Sequence, residues 1–147
     1  MFKHLIMFFA LLGVACERAP TTALVAESEQ TQVVTQSDNV AIVQAFKGKN
    51  SSVFVEGGGV VKKLLADDNR GSRHQKFLVT ISDEQTLLFA HNIDLAPRID
   101  ALAVGDAVTF RGEYVYNPKG GVMHWTHKDP QGAIEGGWIK HNGKTYE

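Results

Sequence analysis

The chain has 147 residues and a mass of 16.1 kDa, room for one small domain besides any targeting or linking segment. Hydrophobic residues at 44% and charged residues at 21% suit a folded globular protein and exclude a disordered one. A formal net charge of −1 excludes the basic excess of a nonspecific nucleic-acid binder and the charge block of a polyacidic tail.

These figures average over three unlike segments. Residues 1–15 read MFKHLIMFFALLGVA, with a lysine at Lys3, an apolar run from Leu5 to Leu12, and small residues before the break. That order is a secretory signal peptide, and its apolar run falls far below the roughly 20 residues of a bilayer-spanning helix. The lone cysteine, Cys16, directly follows Gly13-Val14-Ala15. This fits a lipoprotein cleavage box with Cys16 as the acylated first residue of the mature chain. A leucine is commoner where Gly13 stands, and an ordinary cut after Ala15 is the alternative. An exported protein with one unpaired thiol is unusual, and a lipid anchor accounts for it. No disulfide or cysteine metal site follows from a single cysteine. Glu17 differs from the aspartate of an inner-membrane retention signal in Gram-negative lipoproteins. The expected location is the bacterial cell envelope, at the periplasmic face of the outer membrane, or outside the cell if the chain is simply secreted. Residues 16–37 comprise the lipidated cysteine and a tether that lacks Phe, Trp, Tyr, Ile and Gly, so little burial offsets ordering and flexibility is expected.

Residues 38–147 form the domain, with five of the six histidines, thirteen of the fourteen glycines and both tryptophans. Asp38 can cap a short helix through Ala41, Ile42, Ala45 and Phe46, ended by Gly48. Strand signals follow. Val53–Val55 and Val60–Leu65 flank Gly57-Gly58-Gly59, and His74–Ile81 alternates with Phe77, Val79 and Ile81 on one side. A polar turn at Ser82–Gln85 precedes a strand at Thr86–His91, and Ile93–Arg98 is expected to be a turn or short helix. Ala107–Tyr116 reads as a long strand with Val108, Phe110, Tyr114 and Tyr116 inward, and Val122–His127 as its return. Trp138–His141 and Lys144–Tyr146 form a hairpin across Asn142-Gly143. Five to seven short strands with a short N-terminal helix predict a mainly β fold, a small OB-like barrel. The run Leu102–Gly112 has the glycine spacing with which such barrels enter a long curved strand.

Five blocks carry a family resemblance: DDNRGSRHQKF at 67–77, TLLFAHNIDLAPRI at 86–99, VGDAVTFRGEY at 104–114, GGVMHWTHKDPQG at 120–132 and GGWIKHNGKTY at 136–146. Together they resemble a family of bacterial exported proteins catalogued as domain of unknown function 3465. The resemblance implies an extracytoplasmic bacterial protein and no established activity. Members often carry a further histidine between the last two blocks, where this chain has Ala133-Ile134-Glu135. The Val104–Tyr114 block by itself is similar to small periplasmic OB-type ligand-binding proteins.

Three polar constellations could carry chemistry. His124 and His127 flank Trp125-Thr126, with Asp129 close by, a donor set that suits zinc or another transition metal. On a regular strand the two imidazoles point to opposite sides, so a metal pair needs a bulge or turn there. The structural alternative packs Trp125 and uses the histidines to bond the turn before Pro130. His91 and Asp94, with Asn92, end one strand and could perform acid–base work, or could build a rigid polar turn. The run from Asp67 to His74 presents Arg70, Arg73 and His74 to an anion, while Asp67 and Asp68 could hold a divalent cation, the one cofactor suggested. Its alternative is a solvated loop whose charges pair internally.

The leading expectation is an envelope-tethered OB-like domain that binds an anionic small molecule, a glycan or a protein partner through Arg70, Arg73, His74, His91, His124 and His127. A metal-assisted phosphodiesterase or nuclease-like hydrolase using Asp67, Asp68, His74 and His91 is the alternative. A third reading gives the polar blocks a purely structural role in an envelope-stability protein. Nucleic acid is not favoured, because the domain has 13 Lys and Arg against 12 Asp and Glu when Asp38 is counted with the tether.

Overall fold

The computed structural model describes residues 39–147. The expected signal peptide, Cys16, the tether and the Asp38 cap lie outside the described residues. The described residues form helix α1 (Val40–Lys47) and strands β1 (Val53–Leu64), β2 (His74–Thr80), β3 (Thr86–Asn92), β4 (Ala107–Val115), β5 (Val122–His124), β6 (Trp138–His141) and β7 (Lys144–Tyr146).

Five strands close on themselves in the order β1-β2-β3-β5-β4 and back to β1. All these pairings are antiparallel except β3 with β5, which is parallel. This is the expected OB-like barrel, with β6 and β7 extending the sheet beyond β4. Closure depends on the length of β1. Its first part pairs with β4 from Val53↔Tyr114 to Val60↔Ala107, and its second part pairs with β2 across a bulge between Val61 and Lys63. The change of neighbour falls at Val60, which pairs with both Ala107 and Thr80, and the bulge just beyond it bends the strand along β2.

The expected break at Gly57-Gly58-Gly59 is absent, and β1 runs through the glycines as one strand. The reason is close packing. A Cβ on Gly57 would lie 2.5 Å from Asn39 Oδ1 and 2.6 Å from Ile42 Cδ1, so α1 can seat against β1 only where that side chain is missing. Asn39 secures the seat: its Nδ2 donates to the carbonyls of Gly58 (2.8 Å) and Ile81 (3.0 Å), and its Oδ1 accepts from Gly58 N–H (3.0 Å).

Alternation along the strands fills the barrel. Gln75, Phe77 and Val79 of β2 and Leu87, Phe89 and His91 of β3 point inward, while the residues between them face out. Phe77 stacks on Phe89 at 4.9 Å, and Phe110 meets Phe89 edge-on at 4.8 Å. Aromatic pairs of this kind add about 1 kcal/mol each to their burial. At the β2–β3 turn the barrel is closed by α1. At the opposite end Gln75 exchanges two hydrogen bonds with Ile99, drawing the β3–β4 loop over the core.

Two strand ends differ from expectation. Tyr116 lies beyond β4 and packs on Phe46 at 5.8 Å instead of facing inward, because the chain already leaves the barrel at Val115. β5 stops at His124, since Trp125 adopts a left-handed backbone with φ +50°. The final hairpin forms as predicted, with Asn142 and Gly143 both at positive φ, the requirement of a tight hairpin turn.

Candidate functional site

The outward residues of β2, β3, β4 and β5 line a groove of about 510 Å³ on one side of the barrel. Its strand-borne polar groups are His74 at the start of β2, Asn92 at the end of β3, Glu113 of β4 and His124 of β5. Register brings them together: His74 pairs with Asn92, and Glu113 with His124.

The segment after β5 supplies the rest of the wall. At Trp125 the left-handed backbone breaks the two-residue alternation, so His124 and His127 both face this groove. This is the turn that the His-x-x-His spacing needs for its imidazoles to share a side. Thr126 is turned inward and fully buried. Gly112 makes room for this crossing, because a Cβ there would lie 2.6 Å from the His124 carbonyl and 2.8 Å from Thr126 Cγ2. Trp125 is 36% exposed and its indole leans over the His127 ring at 5.2 Å. Its indole is part of the groove lining.

Local hydrogen bonds fix the geometry. His127 Nδ1 donates to the Lys128 carbonyl at 2.7 Å. Asp129 accepts from the N–H groups of Gln131, Ala133 and Ile134, which folds the loop back as a wall. Burial would raise the Asp129 pKa, but these donors and the nearby His127 outweigh it and hold the carboxyl below its ordinary value. Burial lowers the His124 pKa, with His74 adding to the effect and Glu113 opposing it. Burial therefore favours the neutral form of His124, beside the side chains of Glu113 and Asp129. No Lys or Arg is among the residues that line the groove.

His91 lies beneath the groove and outside its lining. Its Nε2 sits 3.1 Å from the Pro97 carbonyl, which can only accept, so Nε2 carries the proton. Nδ1 then accepts from the Thr126 hydroxyl at 2.8 Å. Burial is the main reason its pKa falls to about 4. Both nitrogens are committed to joining β3, the β3–β4 loop and the segment after β5.

In the charged β1–β2 loop, Arg73, Asp67 and Asp68 are occupied with their neighbours. Arg73 pairs with Asp94 through Nε at 2.6 Å, and its N–H donates to the other Asp94 oxygen at 2.7 Å. These contacts, the backbone N–H first, hold the Asp94 pKa below its usual range. Asp94 N–H donates to Asn92 Oδ1, the polar turn anticipated for this segment. Asp67 pairs with Arg98, and Asp68 Oδ1 accepts from Arg70 N–H. Of the residues singled out in the sequence, His74, His124, His127 and Asp129 share the groove, whereas Arg70, Arg73, Asp67, Asp68, His91 and Asp94 do not line it. Among the described residues no three His, Cys, Asp or Glu side chains form a group that could hold a metal ion.

A family model described as "Protein of unknown function (DUF3465)" matches residues 24–147. The chain belongs to that family. The match includes every strand of the barrel and every wall of the groove. No curated protein matches the chain. In this DUF3465 domain, Glu113 and Gln131 are groove residues that motif reading passed over. Glu113 was legible only as an outward position on β4. Its meeting with His124 depends on the β4–β5 register, which local sequence does not encode.

Proposed function

We propose that this domain is an envelope-tethered binding module for a neutral glycan, held in the groove by stacking on Trp125 and by hydrogen bonds from its rim. The carrying observation is Trp125, an exposed aromatic fixed at positive φ between two groove histidines. A sugar ring offers a C–H face to an indole and hydroxyls to imidazole, amide and carboxylate groups. His74, Asn92, Glu113, His124 and Gln131 supply those partners. OB barrels bind oligosaccharides as well as oligonucleotides on the face of their second and third strands, where this groove lies.

Electrostatics separate the ligand classes named from sequence. Glu113 and Asp129 oppose an anion, and the arginines expected to attract one stand outside the groove. A polyanionic nucleic acid meets the same opposition. A metal-assisted hydrolase would need at least three ligands around one cation. The carboxylates of Asp67, Asp68 and Asp94 are engaged with arginine side chains or backbone N–H groups.

The envelope location rests on the signal-like 1–15 segment and Cys16. Thermal unfolding with a panel of neutral oligosaccharides, acidic oligosaccharides and nucleotides tests the ligand class. A rise in Tm with neutral oligosaccharides, absent in W125A, is expected. Stabilisation by the anionic ligands alone, or equal stabilisation of W125A, would contradict the proposal.

A further inference from the structure

A second depression, of about 440 Å³, lies on the same face of the sheet. Its floor is Leu65, Leu78 and Leu88, and its rim includes Lys62, Thr86 and Asn117. Register relates it to the groove described above. Along β3 the outward row runs Asn92, Ala90, Leu88, Thr86. The first two line the Trp125 groove and the last two line the second depression. The matching row on β2 runs His74, Lys76, Leu78, paired in turn with Asn92, Ala90 and Leu88. Successive outward residues on a strand are about 6.6 Å apart, so the two depressions adjoin along one track about 20 Å long from Asn92 to Thr86.

At the junction stand Ala90 and, beside Leu88 on β5, Val122. These two present only a methyl and an isopropyl group, while Lys76, paired with Ala90 on β2, borders the junction with an amine that can donate to a sugar hydroxyl. The character changes along the track, from indole and imidazole at one end to leucine side chains bordered by lysine, glutamate and amide groups at the other. Sugar units suit both surfaces, since their ring C–H faces cover apolar side chains while their hydroxyls reach the rim.

Resting on the glycan reading above, we infer that the ligand is an extended oligosaccharide chain that occupies both depressions, with Trp125 at one end and Leu78 and Leu88 under the other. A mono- or disaccharide would fill only the Trp125 end. Calorimetric titration with N-acetylglucosamine oligomers, from disaccharide to hexasaccharide, tests this. Affinity should rise by about tenfold or more between the short and long oligomers. Replacing Leu88 by Glu should abolish that gain while the disaccharide still binds as to wild type. V122W, a bulky block at the junction on a different strand, should have the same effect, and it guards against a folding defect in L88E. Two results overturn the inference. If the disaccharide binds and longer chains gain nothing, the single-groove reading stands and the extended track fails. If no oligomer binds, both fail.

Discussion

Trp125 pays a backbone cost for its position. Side chains at positive φ carry roughly 1 kcal/mol of strain, and such outliers gather at sites where geometry serves function. Replacing Trp125 by Gly should therefore leave stability within about 1 kcal/mol of wild type, by chemical denaturation, while binding in the groove is lost. A large loss of stability would make the indole a packing residue instead. His91 makes a different prediction, through pH. Its pKa is about 4 in the fold against an ordinary 6.5, so between these values the unfolded chain binds more protons. The stability it provides is complete above pH 6.5 and is lost as pH falls toward 4, a change on the order of 3 kcal/mol. Denaturation at a series of pH values should show that acid-side slope, and H91Q should flatten it. Below this window Asp94 and Asp106, with pKa values held down by backbone N–H donors first, add a further loss as they protonate. The sequence contained a clue to His91: it shares the inward phase of Leu87 and Phe89. Its polar neighbours Asn92 and Asp94 drew attention to catalysis instead.

At the scale of elements, strands declare themselves by alternation, and most of the barrel was legible for that reason. β2 and β3 alternate without a fault, and the Asn142-Gly143 turn specifies its hairpin. The glycine run in β1 was misleading, because glycine is a weak strand former and its use here lies in what packs against it. Only the approach of Asn39 and Ile42 explains Gly57. Docking of α1 should accordingly be worth several kcal/mol. Ile42 is completely buried, and I42A should cost about 2–5 kcal/mol in equilibrium unfolding. Replacing Asn39 by Ala removes three hydrogen bonds to β1 and the β2 end and should cost about 2 kcal/mol or more. If both variants unfold like wild type, α1 is an appendage and the barrel closes without it.

For the whole molecule, the barrel was legible in the alternation of its strands and the groove on its surface far less so. The groove combines the parallel β3–β5 pairing, the β4–β5 register and the left-handed turn at Trp125. Each of these brings together residues that are distant in the chain or alters a periodicity, so motif spacing could suggest His124 and His127 without identifying Glu113 or Asn92 as their company. Of the small anion, glycan and protein partner expected from sequence, the glycan is the one proposed, because the arginines stand apart from the groove histidines. At the other end of the chain, replacing Cys16 by Ser should release the protein from membrane fractions, and retention would count against a lipid anchor. The central claim, a neutral glycan stacked on Trp125, has a direct optical test. The chain has two tryptophans, so W138F leaves Trp125 as the only indole. Titrating this variant with an N-acetylglucosamine oligosaccharide should give a saturable change in tryptophan emission. Constant emission under conditions where calorimetry detects binding would place the ligand elsewhere and contradict the account.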